Sequence, residues 1–343
     1  MSSWPGKRVV VTGGASFIGS HLVDRLCALG AEVTVLDDFS SGVRSNLASS
    51  PTARIVELDL EYCELGELKK YFSGIEVVFH LAATHGGRGY IDTHPADVCS
   101  NFAIDHHVFE AARLSDVERV VSASSACVYP PALQAETSST YKLKESDCDP
   151  GDLSHPLSAD LEYGWAKLMG EIQLRAFVKQ YGLKGCSLRF VTAYGERENE
   201  THAVIALMSK ARQRLDPFVV WGTGEQSRDF TYVSDIVEGC IAALGVTDGR
   251  AINLGTGERY RLIDVARMIL SLLDFHPKIE FDTTKPTGVV NRALDVGLAR
   301  DLMGWEPRVS LTEGLTRTAA WYVDTHPFVG TLDPMVLMER ARS

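Results

Sequence analysis

The sequence predicts an α/β protein with a doubly wound parallel sheet and a smaller C-terminal α/β lobe. Short β-branched runs alternate with helical patterns through the first half, and strands spaced in this way are joined by right-handed crossovers. A glycine-rich turn follows the first run and opens a helix, which is the context of a phosphate-binding turn. The 343 residues, 45% of them hydrophobic, are enough for one large unit or two modest domains.

Charge and cysteine content restrict the class of protein. A net charge of −11 disfavours nucleic acid and anionic membrane surfaces as partners. No signal-peptide-like segment precedes the first strand, and no apolar run approaches the ~20 residues that span a bilayer. The seven cysteines include no CxxC pair and are typical of reduced thiols, so we expect a cytoplasmic protein without a zinc site. We expect no other metal site, and His85, His155 and His202 are the first residues to examine for one.

The strands and helices of the first half follow from period and composition. Apolar and β-branched runs predict strands at residues 7–13, 31–37, 53–59, 75–83, 118–124 and 185–190. Apolar residues on one side predict a helix at 17–30, and a second long helix is predicted at 163–182. Residues 133–162 are polar, and a loop of that length without its own structure is either functional or mobile.

The alternation weakens from Thr192 onward. Short strands are predicted at 218–222 and 228–233, and helices at 204–212, 235–244, 262–273 and 314–323. We therefore predict a boundary after residue 191. Residues 1–191 form the sheet domain, and residues 192–343 form the smaller lobe, interleaved with the last strands of the sheet.

The turn VTGGASFIGSHL has the features of a dinucleotide site. Gly13 allows the tight turn, Gly19 allows close packing of helix on strand, and the helix N-terminus offers free N–H groups to a diphosphate. Ser16 stands where a GxxGxxG loop has its middle glycine, so its side chain either crowds the cofactor or donates a hydrogen bond to phosphate. The alternative is a turn that packs the helix on the strand and binds no dinucleotide.

Acidic residues at the ends of the next two strands strengthen the dinucleotide interpretation. Asp37 ends the second strand about 20 residues after the turn, where an acid binds the adenosine ribose 2′-OH. This favours NAD over NADP, with Arg44 near enough to leave NADP open. Asp59 ends the third strand and is placed to meet the adenine.

The segment YGWAK places Tyr163 and Lys167 one above the other on a helix face. A nearby ammonium favours the phenolate, so we expect a lowered pKa for the tyrosine. A Tyr-xxx-Lys pair that occurs without other motifs usually marks a solvent-exposed helix face. Here it follows both a dinucleotide turn and a serine-rich strand end.

The order TGGxxxxG, Asp37, HLAA, SSACVY and YxxxK resembles the extended short-chain dehydrogenases/reductases, and more narrowly the NAD-dependent nucleotide-sugar epimerases and dehydratases. The resemblance continues through WGTGEQSRDFTYVSDIVEG, NLGTGE, NRALD and MGWEP, and so covers nearly the whole chain. It implies a Rossmann domain that binds NAD, a C-terminal lobe that binds a nucleotide sugar, and a homodimer.

The resemblance also implies roles for individual residues. Tyr163 would be the acid/base at a sugar hydroxyl, Lys167 would hold the tyrosine and the nicotinamide ribose, and Ser125 would orient the sugar. Arg228 and Arg292 resemble the clamp on the nucleotide diphosphate, a task that suits a planar guanidinium; the alternative for either arginine is a surface salt bridge. Asp295 would support Arg292. The cofactor-binding residues implied are Gly13, Ser16, Phe17, Ile18, Gly19, Asp37, Asp59, Leu60, Leu81, Ala82, Ala83, Tyr163 and Lys167.

Cys127 narrows the resemblance further. SSACVYP, HGGRGYI and LKESD are similar to the GDP-mannose 3,5-epimerases, which implies a GDP-linked substrate. In that family NAD oxidises C4 of the sugar, and a cysteine and a lysine then exchange protons at C3 and C5 on opposite faces. Cys127 would be the cysteine, and Gly87 and Arg88 would lie beside the sugar. The place of the lysine falls on His202, with Lys210 about two helical turns further on. The alternative for Cys127 is a small buried residue.

Other functions stay open beside an NAD-dependent nucleotide-sugar epimerase of this type. One is a nucleotide-sugar 4-epimerase. Another is an isomerase or mutase that no longer depends on NAD, for example one that interconverts pyranose and furanose rings; Ser16 and the missing lysine permit it. A non-catalytic dinucleotide sensor is disfavoured because SSAC and YxxxK are intact. A 4,6-dehydratase is disfavoured because Ala126–Cys127 supplies no acid pair.

Overall fold

The computed structural model describes residues 3–152, 154 and 156–326. The strands in chain order are β1 (Arg8–Thr12), β2 (Glu32–Asp37), β3 (Arg54–Glu57), β4 (Val77–His80), β5 (Arg119–Ser125), β6 (Gly185–Phe190), β7 (Thr192–Tyr194), β8 (Phe218–Trp221), β9 (Ser227–Arg228), β10 (Phe230–Tyr232), β11 (Ala251–Leu254), β12 (Tyr260–Arg261), β13 (Ile279–Asp282) and β14 (Asn291–Arg292). The helices are α1 (Phe17–Ala28), α2 (Leu65–Phe72), α3 (Arg88–Thr93), α4 (Pro95–Val98), α5 (Asn101–Leu114), α6 (Leu161–Tyr181), α7 (Ala203–Arg212), α8 (Val233–Ala242), α9 (Leu262–Leu272), α10 (Gly297–Met303) and α11 (Leu311–Thr325).

A seven-stranded sheet forms the centre of the fold. Its order is β11-β6-β5-β4-β1-β2-β3, and every neighbouring pair is parallel. The strand order reverses at β1, which lies between β2 and β4, so the crevice at the carboxyl end of β1 is the switch point where such sheets bind ligands. The predicted doubly wound α/β fold is confirmed.

Helices cover both faces of this sheet because its central strands are apolar on both sides. In β1, Val9 and Val11 belong to the apolar cluster that includes α1 and α8, whereas Val10 belongs to the cluster that includes α2, α5 and α6. Successive side chains of a strand point to opposite faces, so the run VVV is buried on both faces of the sheet. The all-apolar pattern is therefore the signature of a central parallel strand.

The second half builds a lobe beside the carboxyl edge of the sheet. Strand β11 joins the main sheet next to β6, and the remaining strands form small sheets that pair β7 with β10, β8 with β13, and β9 with β12 and β14. The predicted helices of this region are present as α7, α8, α9 and α11. Met208, Phe218 and Ile269 are fully buried in the core of the lobe. Within the described ranges, no helix has the length and apolarity to cross a membrane.

The polar segment after Pro130 is packed onto the lobe. Leu143 forms a parallel bridge with Leu294, and Gln134 and Cys148 are buried. The segment therefore lies close to the strand that carries Arg292, and it contributes side chains to the site described below.

Candidate active site

The turn between β1 and α1 requires glycine at two positions. Gly13 has φ +67°, and a Cβ there would lie 2.7 Å from the backbone nitrogen of Ala82. A Cβ at Gly19 would lie 2.1 Å from the carbonyl oxygen of Gly13. Helix α1 begins at Phe17, and no side chain caps its N-terminus. The turn therefore forms a narrow cradle with free N–H groups, which is a favourable place for a diphosphate.

Ser16 fits this turn without backbone strain. Its φ of −82° and ψ of −177° are extended values that any residue adopts. Its hydroxyl lies 3.3 Å from the hydroxyl of Ser41. The turn thus tolerates a serine at this position, and its side chain has a polar neighbour within the protein.

Asp37 joins β2 to the glycine turn. Its carboxylate is buried and accepts hydrogen bonds from the N–H groups of Ala15 at 2.8 Å and Phe39 at 2.9 Å. Burial raises the pKa of this carboxyl, and the two N–H groups oppose the rise. Asp59 is exposed and accepts a hydrogen bond from the N–H of Glu61 at 2.8 Å. Of the two acids, Asp37 is thus the one fixed beside the cradle.

The segment after β4 lies against β1. Thr12 Oγ1 is 2.7 Å from Nδ1 of His80 and accepts hydrogen bonds from the N–H groups of Leu81 and Ala82 at 3.2 Å. Asp105 lies 3.0 Å from Nε2 of His80. Leu81, Ala82 and Ala83 are therefore held alongside the cradle. Of the other predicted cofactor residues, Phe17 and Ile18 are partly buried at the start of α1, and Leu60 is buried after β3.

Tyr163 and Lys167 lie on α6 and face the end of β5. The phenol of Tyr163 lies close enough to Ser125 for the serine hydroxyl to lower the pKa of the tyrosine, and Nζ of Lys167 donates to the carbonyl of Ala123 at 3.1 Å. Burial, followed by the neighbouring Cys127, raises the pKa of Tyr163, and burial lowers the pKa of Lys167. The expectation of a lowered tyrosine pKa is wrong for this structure, because desolvation and the neighbouring Cys127 and Asp105 outweigh the opposing effect of the Ser125 hydroxyl.

Cys127 follows Ser125 and packs on the first turn of α6. The Ser125 hydroxyl accepts a hydrogen bond from the Cys127 N–H at 3.1 Å, and the Cys127 carbonyl accepts one from the Asp160 N–H at 2.8 Å. Gly164 is necessary for this approach, since a Cβ there would lie 2.3 Å from the same carbonyl. The thiol contacts Nη1 of Arg292 at 3.4 Å. The predicted catalytic residues of β5 and α6 thus meet in one place.

Asp160 connects two arginines of the site. Its carboxylate lies 2.9 and 3.0 Å from Nη1 of Arg88 and 3.2 Å from Nη2 of Arg292. Nε of Arg292 donates to Oε1 of Gln134 at 2.5 Å. No sequence motif marked Asp160 or Gln134; their function depends on contacts between segments far apart in the chain. The sequence analysis assigned the support of Arg292 to Asp295, but the carboxylate that contacts this arginine is that of Asp160.

Asp295, predicted to support Arg292, does not do so. Its Oδ1 accepts a hydrogen bond from the N–H of Gly297 at 2.9 Å, at the first residue of α10. Asp295 follows Leu294, which pairs with Leu143, and its own N–H donates to the Leu143 carbonyl at 2.8 Å, so its backbone belongs to this bridge. The predicted role of Asp295 in substrate binding is therefore wrong in this respect.

Arg228 has hydrogen-bond acceptors but no ion-pair contact with a carboxylate within the described part of the chain. It donates to the carbonyls of Ser227 and Thr287, each at 2.8 Å. Burial, together with the nearby Arg292, lowers its pKa to about 9. Two neighbouring guanidinium groups that repel each other form a favourable position for a dianion. This is the arrangement expected of a diphosphate clamp.

His202 lies at the N-terminus of α7 and faces the loop after β4. Its Nδ1 is 3.0 Å from Oε1 of Glu198, and its ring stacks on that of His85 with centroids 6.1 Å apart and planes at 9°. A Cβ at Gly87 would lie 2.0 Å from the carbonyl oxygen of Thr201, so the two loops touch. His202 is therefore at the edge of the site, beside the loop that carries Gly87 and Arg88.

The described ranges contain no group of three side chains able to hold a metal ion, and His155 lies outside those ranges.

The side chain of Lys210, the alternative to His202, contacts β8 and the tryptophan that ends it. Its Nζ donates to the carbonyl of Val219 at 2.7 Å and lies 5.8 Å from the ring centroid of Trp221. Trp221 is 40% exposed, lies 3.8 Å from a Cβ built on Gly89, and was not singled out from the sequence. The sequence feature that could have identified Trp221 is its position as an aromatic residue at the end of the run VVW, residues 219–221.

Comparisons with known proteins show which proteins this chain is similar to. Residues 9–255 match the model of the NAD dependent epimerase/dehydratase family. GDP-mannose 3,5-epimerase 1 of Oryza sativa subsp. japonica is 32% identical over 325 residues, which cover 93% of this chain and 82% of that protein. The structure of UDP-glucose 4-epimerase from Thermotoga maritima with UDP-glucose has a TM-score of 0.83 and 28% identity, covering 93% of this chain and 99% of its own. The complex of Thermus thermophilus UDP-glucose 4-epimerase with NAD has a TM-score of 0.79 and 25% identity, covering 92% and 98%.

Proposed function

The chain belongs to the NAD-dependent epimerase/dehydratase family, and from that membership we propose that it is a nucleotide-sugar epimerase of the GDP-mannose 3,5-epimerase type. Such an enzyme oxidises its sugar transiently at C4 and inverts neighbouring carbons by moving protons. The observation that supports this proposal most strongly is the position of Cys127, next to Ser125 and α6 and 3.4 Å from Arg292. A 4-epimerase has no need of a thiol there.

The residues around the cradle fit NAD. The spaces beside Gly13 and Gly19 are too narrow for a methyl group, α1 begins there without a side-chain cap, and the Asp37 carboxylate is fixed alongside. These groups would hold the diphosphate and the adenosine ribose, and Lys167 would hold the nicotinamide ribose. When bound, NAD supplies reversible oxidation of the sugar at C4, which acidifies the C–H bonds at C3 and C5.

Tyr163 would hold and return the proton of the hydroxyl at C4. Its pKa is raised by burial, so without a charged partner it is a neutral phenol that donates hydrogen bonds. Ser125, which lies beside the phenol, would orient the same hydroxyl. Gly87 and Arg88, in the loop that meets Thr201, would lie beside the rest of the sugar.

Cys127 and His202 would be the two groups that exchange protons with carbon. Inversion requires a proton acceptor on one face of the ring and a donor on the other. Cys127 follows β5 and His202 precedes α7, so separate elements carry the two residues, and the proposal places them on opposite faces of the ring. The thiol contacts a guanidinium donor, an environment in which sulfur can exchange a proton.

Arg228, Arg292 and Trp221 would bind the nucleotide. The two guanidinium groups match the charge and shape of a diphosphate. Trp221 offers an exposed indole face, with the ammonium groups of Lys210 and Lys285 at 5.8 and 5.9 Å from its centroid. Stacking on such a face suits any base, so guanine follows here from the resemblance to the GDP-mannose enzymes.

A second copy of this chain is proposed to cover the outer face of α6. Trp165 and Met169 lie one helical turn apart and are 45% and 40% exposed, and Phe102 of the adjoining α5 is 39% exposed. The side chain of Gln173, one turn further along, reaches the carbonyl of Phe102, so these residues form one surface.

A cytoplasmic location is also part of the proposal. All seven cysteines are unpaired, which suits a reducing compartment.

Isotope exchange tests the function. We expect GDP-mannose incubated with the protein in heavy water to take up deuterium at C3 and C5, as measured by NMR and mass spectrometry. Cys127→Ala should reduce this uptake about 100-fold or more and leave the NAD content unchanged. Cys63→Ala, at a partly exposed thiol before α2, is the control. A sugar nucleotide that is turned over without exchange at these carbons would contradict the proposal.

A nucleotide-sugar 4-epimerase is the second candidate, supported by the likeness to the two solved UDP-glucose 4-epimerases. It would use Tyr163, Ser125 and Lys167 in the same way but would leave Cys127 without a chemical role. Conversion of UDP-glucose to UDP-galactose without deuterium uptake, and unchanged by Cys127→Ala, would favour it.

A further inference from the structure

Glu198 is a buried acid in the loop that leads into α7. Its side chain is 2% exposed, and Oε1 lies 3.0 Å from Nδ1 of His202. Its other oxygen, Oε2, has no hydrogen-bond partner within the described residues. A buried carboxylate is costly unless an opposite charge lies beside it, and the imidazolium of His202 is the group in that position. The geometry therefore favours a protonated ring at His202.

The ring of His202 is held in one orientation. Nδ1 is buried on the Glu198 side, while the side chain as a whole is 26% exposed. The ring of His85 stacks on one face, and the contact of Gly87 with Thr201 fixes the backbone next to it. Nδ1 lies within ion-pair distance of the Glu198 carboxylate although no hydrogen bond joins the two groups, and Nε2 is the ring nitrogen left for proton transfer. This is the arrangement in which a carboxylate orients a catalytic histidine.

The charges around the two histidines place the proton on His202. Burial tends to lower the pKa of His202, but the Glu198 carboxylate and the Gly86 carbonyl raise it overall. Burial raises the pKa of Glu198, and the imidazolium opposes that rise. His85 behaves oppositely: burial, then the neighbouring His202 and Lys167, lower its pKa to about 4. A proton on His85 would bring three cations together, so His85 stays neutral.

We propose that Glu198 is a positioning residue that keeps His202 protonated, so that His202 is the proton donor and Cys127 the proton acceptor in each inversion. This rests on the proposed epimerase function. The deprotonated sulfur of Cys127 takes the proton and forms S–H, while the electron pair of the C–H bond moves to the C4 carbonyl oxygen. The pair then returns to carbon, which takes the proton from Nε2 of His202. Exchange with water then returns a proton to the imidazole of His202 and removes the proton from the thiol of Cys127.

A pH profile of the full-length enzyme tests this role. The protonated form of His202 is present below its pKa and is lost above it. In Glu198→Gln only the Gly86 carbonyl still opposes the effect of burial, so the pKa of His202 falls. We expect deuterium uptake from heavy water into GDP-mannose to drop about 100-fold at neutral pH and to recover in part at acidic pH. Glu200→Gln is the matched control, since Glu200 lies in the same loop but accepts from the hydroxyl of Tyr322. Indistinguishable profiles for the two variants would overturn the proposal.

Titration of the histidine rings by NMR, without substrate, separates this proposal from the proposed function. In Glu198→Gln the pKa of His202 should fall and that of His85 should rise, because the cation beside His85 is lost. A purely structural loss would not produce opposite shifts. An unchanged pKa of His202 would refute the role of Glu198. Absence of carbon exchange in the wild-type enzyme, with the opposite shifts present, would refute the epimerase instead.

Discussion

Replacing Asp160 with asparagine removes the negative charge that two arginines share. The Asp160 carboxylate, with a 7% exposed side chain, lies 2.9 Å from Nη1 of Arg88 and 3.2 Å from Nη2 of Arg292. Breaking a buried ion pair by removing one partner costs about 3–5 kcal/mol, because the other charge is left without a partner. Arg88 is 27% exposed and the amide keeps an acceptor oxygen, so we expect a loss of about 2–3 kcal/mol in the free energy of unfolding.

Urea denaturation followed by circular dichroism measures this loss. The control is Asp149→Asn, whose carboxylate pairs with Arg175 at 2.8 Å but whose side chain is 48% exposed. The control should lose less than about 1 kcal/mol, as exposed pairs do. Added GDP should stabilise Asp160→Asn more than the wild type, because the guanidinium of Arg292, without its carboxylate partner, can bind the diphosphate. Equal losses in the two variants, or no extra effect of GDP, would refute the interpretation of Asp160.

Three further predictions concern the loops, the base and the dimer. Gly87→Ala forces a methyl group to within 2.0 Å of the Thr201 carbonyl, and misplacement of the loops should cut deuterium uptake about 100-fold; Gly66→Ala, where a methyl group has no neighbour within 4 Å, should not. Trp221→Ala should weaken GDP binding, measured by calorimetry, by about 1–3 kcal/mol through loss of base stacking; unchanged affinity would contradict that contact. Trp165→Glu should shift the protein from dimer to monomer in sedimentation velocity, and a dimer that persists would place the interface elsewhere.

The glycine turn and the helix with Tyr163 and Lys167 were predictable because their constraints are local. Gly13 and Gly19 approach each other within a single turn, so the sequence pattern and the steric requirement coincide. The residues of one helical face likewise follow from a fixed period. Such features can be identified without knowing where the rest of the chain lies.

The partner of Arg292 and the protonation of the site were not predictable in this way. Asp295 is near Arg292 in sequence, but the carboxylate that reaches the arginine is that of Asp160, brought there by the packing of α6. The raised pKa of Tyr163 depends on burial, which follows only from the assembled core. Glu198 had no motif, since its significance comes from the position of His202.

The content of NAD tests the central claim most directly, namely that this site oxidises a sugar through a bound dinucleotide. Purified protein is denatured, and the released NAD and NADH are quantified per chain by mass spectrometry. We predict close to one dinucleotide per wild-type chain and almost none for Gly19→Ala, in which a methyl group would lie 2.1 Å from the Gly13 carbonyl oxygen. Wild-type protein that carries no dinucleotide and binds none when it is added would contradict the redox mechanism and favour an isomerase that works by acid/base chemistry.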